Sequence, residues 1–212
     1  GLEPILQAQG QASPMTVEPR PDLPGALAAL AAAFRGLGCP AMLIGGLAVI
    51  ARGIPRQTID IDAVVQGEGL DVDSLIQTLG RSGFVPRIPD AAAFARQRQV
   101  LLMLHAPSGV PLDLSLGWLP FERDAMARAT LIDLAGVTLP VATAEDLVVF
   151  KAVAWRNRDK GDIERLVVRH GDTIDLARIR ETLAAFYEAL DEPERLQEFE
   201  ALVKRALESR GP

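Results

Sequence analysis

The 212-residue sequence predicts an α+β fold, in which a β-sheet flanked by helices precedes a C-terminal helical region. The first observation is a set of short apolar runs before Pro140, several of which alternate polar and apolar residues as strands do. The second is that the sequence after Pro140 shows helical patterns and no strand signal. These patterns divide the folded part of the chain into a domain over 23–140 and a helical domain over 141–212.

Glycines mark the ends of the elements predicted before residue 81. Glycine is typical of such positions because it ends helices and permits tight turns. The first helix is rich in Ala and Leu, which are strong helix formers. The predicted elements are a helix over 23–37, a strand over 41–44, a helix over 47–52 after the turn Gly45-Gly46, a strand over 59–65 and a helix over 71–79.

Turn residues predict two β-hairpins in the next part of the chain. The apolar runs 100–105 and 110–116 flank Ala106-Pro107-Ser108-Gly109, and a shorter hairpin surrounds Gly136. Thr143 is then predicted to cap a helix, because an acidic residue follows at the third helical position. The C-terminal helices are predicted over 145–157, 163–170, 176–190 and 194–209.

Composition predicts a soluble, cytoplasmic protein with no membrane partner. Residues 1–22 contain four prolines without apolar periodicity and predict a flexible tail. No secretion signal is evident, and no apolar stretch approaches the ~20 residues of a membrane span. The single cysteine, Cys39, cannot form an internal disulfide. The net charge of −6 argues against a broad basic surface for long nucleic acids.

Three aspartates on two predicted strands are the candidate functional residues. Asp60 and Asp62 lie two positions apart, so their side chains share one face of the strand, with Cα atoms ~7 Å apart. Asp113 lies on the second arm of the first hairpin, where Leu112 and Leu114 take the opposite face. If the two strands are neighbours, three carboxylates meet at one place.

Ionised carboxylates at such a short separation destabilise the fold when no cation is present, and one of them would tend to take up a proton. Mg²⁺ removes this cost, because it prefers a few carboxylates combined with the phosphates of a substrate. The aspartates therefore predict a metal-dependent nucleotide site. Arg56 and Thr58 have the same strand parity as Asp60 and Asp62, so they are predicted to face that site as well.

The order of these elements resembles the nucleotidyltransferase superfamily that shares a polymerase-beta-like core. More narrowly, Gly45-Gly46, the segment 56–62, the segment 140–147 and Lys151 resemble AbiEii-type toxins and related stand-alone bacterial nucleotidyltransferases. Aminoglycoside and lincosamide adenylyltransferases carry a similar first motif. The resemblance covers roughly residues 40–170 and implies a mixed β-sheet.

The resemblance also implies roles for the candidate residues. Asp60 and Asp62 match the pair that binds two Mg²⁺ ions, for which Mn²⁺ is a possible substitute, and Asp113 matches the carboxylate that binds the second ion and helps to deprotonate the acceptor. Gly45 and Gly46 match a turn that approaches the triphosphate. Many superfamily members have Gly-Ser at this turn.

Lys151 matches a lysine that contacts phosphate, although a solvated helix lysine is an equal alternative. Arg158-Asp159 and Asp162-Ile163 resemble the family's Lys-Asp and Asp-Ile pairs, with arginine in place of lysine. The alternative for Asp159 and Asp162 is that they pair with Arg158 and Arg165 on a helix surface, and the spacing slightly favours this alternative.

The function that the resemblance implies is Mg²⁺-dependent transfer of a nucleoside monophosphate from an NTP to an acceptor hydroxyl, with release of pyrophosphate. The acceptor is open among an antibiotic or other small molecule, an RNA end and a protein side chain. A cognate antitoxin is a possible partner. The alternative is a catalytically silent nucleotide-binding or interaction module, which the departures at Gly46 and Arg158 motivate.

Overall fold

The structure is a computed structural model that describes residues 22–209. Its strands are β1 (Ala41–Ile44), β2 (Ile61–Gln66), β3 (Phe84–Pro86), β4 (Val100–His105), β5 (Val110–Gly117), β6 (Thr130–Leu134) and β7 (Val137–Val141). Its helices are α1 (Leu23–Leu37), α2 (Gly45–Ala51), α3 (Val72–Arg81), α4 (Ala91–Arg98), α5 (Pro120–Arg128), α6 (Ala144–Ala154), α7 (Asn157–His170), α8 (Leu176–Ala189) and α9 (Glu194–Glu208). The predicted tail lies outside the described residues, except for Asp22, whose carboxylate caps α1.

The strands form one sheet in the order β3-β4-β5-β2-β1-β7-β6. The pairs β2–β5 and β1–β7 are parallel, and the other neighbours are antiparallel, so the sheet is mixed. Helices flank the sheet, and α6 to α9 follow it along the chain. The predicted α+β class, with a mixed sheet and a C-terminal helical region, is confirmed.

Alternation along β5 orients the sheet face that carries the candidate site. Leu112 and Leu114 are fully buried, whereas Asp113 between them is only partly buried on the opposite face. Because successive side chains of a strand point to opposite faces, the leucines anchor β5 in the core and leave Asp113 free to face a cleft. This is the arrangement that the sequence predicts.

The two strands that carry the aspartates are direct neighbours, so the condition for bringing the three carboxylates together is met. β2 and β5 run parallel, and Asp62 lies opposite Asp113 in their register. The predicted start of the second strand at Ile59 is wrong, because β2 begins at Ile61. The last residue of β1, Ile44, pairs with Asp62 of β2. Asp60 and the residues before it lie beyond this pairing and form a loop beside the sheet.

Three elements, β3, α4 and α5, are absent from the sequence prediction. β3 contains three residues at the edge of the sheet, too few to show a period. Helix α5 does carry a start signal, since Pro120 stands at its beginning and the Glu122 carboxylate accepts from the backbone N–H groups of Trp118 and Leu119 at 2.9 Å. Proline before an acidic residue would have located this helix.

The break between the first two C-terminal helices lies earlier than predicted. α6 ends at Ala154 because Trp155 adopts a left-handed conformation with φ of 51°, and α7 begins at Asn157 and continues through Gly161. The sequence placed this break between 157 and 163. The earlier start of α7 gives Asp159 and Asp162 the regular spacing of one helical face.

One cluster of buried apolar side chains includes residues before and after Pro140. The division into domains over 23–140 and 141–212 stays a prediction. Among residues 22–209, no helix combines the length and apolarity needed to cross a membrane.

Candidate active site

A cleft with a volume of about 390 Å³ lies where β2 and β5 meet the loop before β2 and the helices α6 and α7. Seven of the eight site residues predicted from the sequence line this active-site cleft. They are Gly46, Arg56, Thr58, Asp60, Asp62, Asp113 and Lys151. Gly45 is the exception, and Arg87 and Arg158 complete the charged lining.

Asp62 and Asp60 have different electrostatic environments in the cleft. The pKa of Asp62 is raised by burial, and the neighbouring charges of Asp60 and Asp113 raise it further. A hydrogen bond from the backbone N–H of Gly46 and the charge of Lys151 act in the opposite direction without cancelling the rise. Because burial and the two neighbouring carboxylates together raise this pKa, a positive charge beside Asp62 would stabilise its ionised form.

Asp60 is held in the ionised form by different contacts. The Thr58 hydroxyl donates a hydrogen bond to Asp60 Oδ1 and lowers the pKa of this carboxyl, an effect that burial opposes. The positive charges of Arg158 and Arg56 lower the pKa further. The two aspartates of the Asp-x-Asp motif therefore have pKa values shifted in opposite directions, which is common at functional sites.

Asp113 is partnered by an arginine that the sequence did not indicate. Arg87 Nη2 donates to Asp113 Oδ1, and both side chains are partly exposed. Arg87 directly follows β3, and its backbone N–H donates to Leu102 O at 3.0 Å. Because this position depends on an edge strand without a sequence signal, no motif could have identified Arg87.

Glycines at 45 and 46 are required by the close approach of this turn to the side chains of Asp62 and Thr58. Gly45 has φ of 64°, and a Cβ atom at Gly45 would lie 2.0 Å from Asp62 Oδ2. A Cβ atom at Gly46 would lie 2.9 Å from Thr58 Oγ1. The N–H of Gly46 is already bonded to Asp62, so a contact of this turn with a triphosphate stays a prediction.

Lys151 is buried, with 9% of its surface exposed, so the alternative of a solvated helix lysine is wrong. Its Nζ atom lies 3.0 Å from Asp159 Oδ1 and 3.2 Å from Asp162 Oδ2. The two aspartates are also buried, because their face of α7 packs against α6. The predicted surface pairing is therefore wrong for Asp159, whose charged partner is Lys151 and not Arg158.

Asp162 connects several cationic side chains through its two oxygens. Oδ2 accepts from Arg56 and lies beside Lys151, whereas Oδ1 accepts from Arg165 Nη2 at 2.9 Å. The predicted contact with Arg165 is present, but it reaches a carboxylate that is only 1% exposed. This carboxylate fixes Arg56 and Lys151 at the edge of the active-site cleft.

Residues 27–210 match the AbiEii family, described as "Nucleotidyl transferase AbiEii toxin, Type IV TA system". The chain belongs to the AbiEii family. It is thus a nucleotidyltransferase, as the sequence motifs predict. Among curated proteins, none shows significant sequence similarity to this AbiEii-family chain.

Two solved structures share the fold of this AbiEii-family member at low sequence identity. One is the solution structure of the antibiotic-resistance factor ANT(2'')-Ia, with a TM-score of 0.53, 19% identity and coverage of 79% of this chain and 95% of that one. The other is the crystal structure of an antigenic nucleotidyltransferase-like protein from Paracoccidioides brasiliensis, with a TM-score of 0.50, 15% identity and coverage of 85% and 95%. At these identities the likeness concerns the fold alone.

The acidic residues of the AbiEii-family site suit a divalent cation in their chemistry, although within residues 22–209 no group of three or more acidic, His or Cys side chains already has metal-binding geometry. Carboxylate oxygens are the ligands that Mg²⁺ and Mn²⁺ prefer. Burial and the charges of Asp60 and Asp113 raise the pKa of Asp62, so a cation bound beside it would favour its ionised form. A cation that binds Asp113 through Oδ1 would have to replace the hydrogen bond from Arg87.

Replacing Arg87 with glutamine should therefore increase the affinity of the metal-free protein for Mn²⁺. The Arg87–Asp113 pair is partly exposed, and such salt bridges contribute up to ~1 kcal/mol, so we expect an increase of about two- to fivefold. Titration followed by electron paramagnetic resonance would measure free Mn²⁺ directly. Arg81→Gln, which removes an exposed charge at the end of α3, is the control and should leave the affinity unchanged. Equal affinities of the Arg87→Gln variant and the unmodified protein would contradict the competition.

Proposed function

We propose that the chain transfers a nucleoside monophosphate from an NTP to an acceptor hydroxyl and releases pyrophosphate. The observation that carries the proposal is the distribution of charge in the active-site cleft, where three aspartates and four Lys or Arg side chains share one lining. Carboxylates on one side suit divalent cations, and guanidinium and ammonium groups suit a triphosphate. An NTP with its bound cations presents both kinds of charge.

Asp60, Asp62 and Asp113 would hold the cations, which supply Lewis-acid stabilisation of the charge that develops on the phosphates. The positive side chains bind the donor. Arg158 is exposed at the cleft, whereas Arg56 and Lys151 are held by the carboxylate of Asp162. Because these two cations are fixed before the substrate arrives, little order is lost when the phosphates bind.

In the transfer itself, the acceptor oxygen forms a bond to the α-phosphorus as the bond to the β-phosphate oxygen breaks. Pyrophosphate leaves with the electron pair of that bond. The acceptor proton moves to the Asp113 oxygen that the cation does not occupy, which is Oδ2 when a cation replaces Arg87 at Oδ1. Asp62 lies opposite Asp113 on the neighbouring strand, so the two carboxylates lie at the same end of the cleft.

The family description supports a biological role as a toxin with a cognate antitoxin. The acceptor is a hydroxyl of a small molecule such as an antibiotic, of an RNA end or of a protein side chain. A neighbour of the same fold is an antibiotic-resistance factor, which keeps the small-molecule class among the acceptors to be tested.

The test is label transfer from α-labelled NTPs in Mg²⁺ or Mn²⁺ to three acceptor pools, namely aminoglycosides, total RNA and a protein mixture. We expect labelling of one pool with stoichiometric pyrophosphate release. Asp113→Asn should reduce the rate about 10³-fold or more, because the variant loses both a metal ligand and the proton acceptor.

Asp124→Asn is the matched control, since it removes one exposed aspartate from α5, and it should retain full activity. Transfer that persists in Asp113→Asn would contradict the mechanism. Metal-dependent NTP binding without pyrophosphate release in every pool would instead support the silent nucleotide-binding module.

A further inference from the structure

A larger cleft, with a volume of about 690 Å³, adjoins the active-site cleft along the chain. This second cleft is lined by residues of the loop after α2 and of the helices α7 and α9. The segment 53–60 contributes to both clefts, since 53–55 line the second cleft and 56–60 line the active-site cleft. His170 Nε2 lies 3.0 Å from Arg52 O and ties the start of this loop to α7.

The charged lining of the second cleft is mostly positive. Arg165, Arg169 and Arg205 line it together with one acidic residue, Glu164, in a chain whose net charge is −6. The side chain of Arg169 lies against the loop, where a Cβ atom at Gly53 would be 3.2 Å from its Nε. The arginines come from two different helices and surround one volume, which favours an anionic ligand.

Between the arginines, the surface of the second cleft is apolar. Ile54 and Ala206 are 4% and 5% exposed, and Pro55 and Val168 complete the apolar part of the lining. The volume lies within the ~300–1,000 Å³ that is usual for small-molecule sites. A ligand that matches this surface carries a compact anionic group on one side and a flat apolar group on the other.

We propose that the second cleft binds a nucleoside phosphate. Its phosphate is bound by the guanidinium groups of Arg165, Arg169 and Arg205, which match phosphate oxygens in bidentate geometry. Its base packs on the side chains of Pro55 and Val168, which are more exposed than Ile54 and Ala206. A metal is not required, because the only acidic side chain in the lining is Glu164 among the described residues.

The two clefts are connected through the carboxylate of Asp162. Arg165, in the second cleft, donates to Asp162 Oδ1, while Arg56 and Lys151, in the active-site cleft, contact Oδ2. A phosphate in the second cleft competes with Asp162 for Arg165. The buried carboxylate then binds Arg56 and Lys151 more strongly and withdraws them from an NTP. Occupation of the second cleft therefore weakens NTP binding several-fold, and by linkage an NTP weakens binding in the second cleft equally.

The direct test is a calorimetric titration of the full chain with AMP in the presence of EDTA, which removes metal-dependent binding in the active-site cleft. We expect one AMP to bind. Arg169→Gln and Arg205→Gln should each weaken binding at least tenfold, because each removes a guanidinium group from the second cleft. Arg158→Gln, in the active-site cleft, and Arg98→Gln, on α4, should leave the affinity unchanged. Arg169 and Arg205 are both exposed, so their variants should fold normally, as melting curves would verify.

Absence of AMP binding to the unmodified chain would overturn the proposal, as would a loss of binding caused by Arg158→Gln instead of Arg169→Gln. These outcomes do not depend on catalysis. The connection to the active-site cleft does rest on the proposed function, and it is tested by the affinity for a non-hydrolysable NTP analogue with Mg²⁺ and increasing AMP. AMP should weaken analogue binding more in the unmodified chain than in Arg169→Gln, and equal weakening in the two would refute the connection.

Discussion

Replacing Asp62 with asparagine is expected to abolish nucleotidyl transfer and to raise the melting temperature of the metal-free protein. The pKa of Asp62 is raised by burial and by the charges of Asp60 and Asp113, so its ionised form destabilises the folded state. Asparagine has nearly the same shape and can still accept from the Gly46 N–H, but it carries no charge. We expect a gain on the order of 1 kcal/mol, or about 2–4 °C in melting temperature.

The gain should depend on pH with a defined sign. A carboxyl whose pKa is higher in the folded state than in the unfolded state stabilises the fold only where it is protonated. The difference between Asp62→Asn and the unmodified chain should therefore be present at neutral pH. It should vanish as the pH falls below ~3.9, the ordinary value of an aspartate, because both proteins are then neutral at this position. Calorimetric melting between pH 3.5 and 7.5 measures this dependence.

Mg²⁺ should reverse the order of the two melting temperatures. Binding of a cation to the folded state stabilises the unmodified chain, whereas the variant lacks one carboxylate and gains less. Transfer activity should fall about 10³-fold or more in the same variant. Asp124→Asn, the exposed control on α5, should change neither activity nor melting. A variant that loses activity and also melts lower without metal would contradict the electrostatic account.

The strand faces of Asp62 and Asp113 could be predicted because they depend on a local rule, whereas the adjacency of their strands depends on the order of the sheet. The two-residue period of a strand fixes which side chains share a face, and Leu112 and Leu114 identify the buried face of β5. The two-residue period also predicted that Arg56 and Thr58 face the site, but the premise that they belong to a strand is wrong. They line the cleft from a loop, and not from an extension of β2.

Contacts between distant parts of the chain could not be predicted in this way. Arg56 and Asp162 are separated by 106 positions, and their contact depends on how α7 packs beside the loop. The start of α7 is set by the left-handed conformation of Trp155, a non-glycine residue that gives no sequence signal for such a break. Because the predicted break was wrong by a few residues, Asp159 and Asp162 were expected to pair with arginines on a helix surface, whereas both are buried.

Replacing Asp146 with alanine is expected to have the largest effect on stability. This carboxylate is fully buried at the beginning of α6, where it accepts from Arg128 on α5 and from Arg178 on α8 at 2.8 and 3.0 Å. The Thr143 hydroxyl donates to it at 2.8 Å. Removing the carboxylate leaves two arginines without their partner, and because their side chains are 37% and 31% exposed we expect a cost at the lower end of the range for buried pairs, about 3 kcal/mol. With about 2–4 °C per kcal/mol in a chain of this size, the melting temperature should fall by roughly 6 °C or more.

The acid sensitivity of this stabilisation provides a second measurement. Burial acts to raise the pKa of Asp146, but the hydrogen bonds from Arg128 and Thr143 and the charges of Arg128 and Arg178 outweigh it, and the pKa is lowered. A lowered pKa means that the contribution is complete above ~3.9, the ordinary value, and is lost as the pH falls through the value in the folded state. The destabilisation of Asp146→Asn relative to the unmodified chain should accordingly shrink in acid. Glu181→Ala, an exposed substitution on α8, should alter melting by less than ~0.5 kcal/mol at any pH.

Comparison of Asp146→Asn with Asp146→Ala separates charge from packing. Asparagine keeps most of the side-chain volume, and its amide oxygen can accept a hydrogen bond from one of the two arginines. If this bond replaces part of the contacts of Asp146, Asp146→Asn should lower the free energy of unfolding less than Asp146→Ala does. Both variants should leave the affinity of the folded protein for Mn²⁺ unchanged, because Asp146 does not line the active-site cleft. A loss of Mn²⁺ affinity in a variant that still melts cooperatively would mean that the contacts of α6 with α5 and α8 also position the metal-binding aspartates.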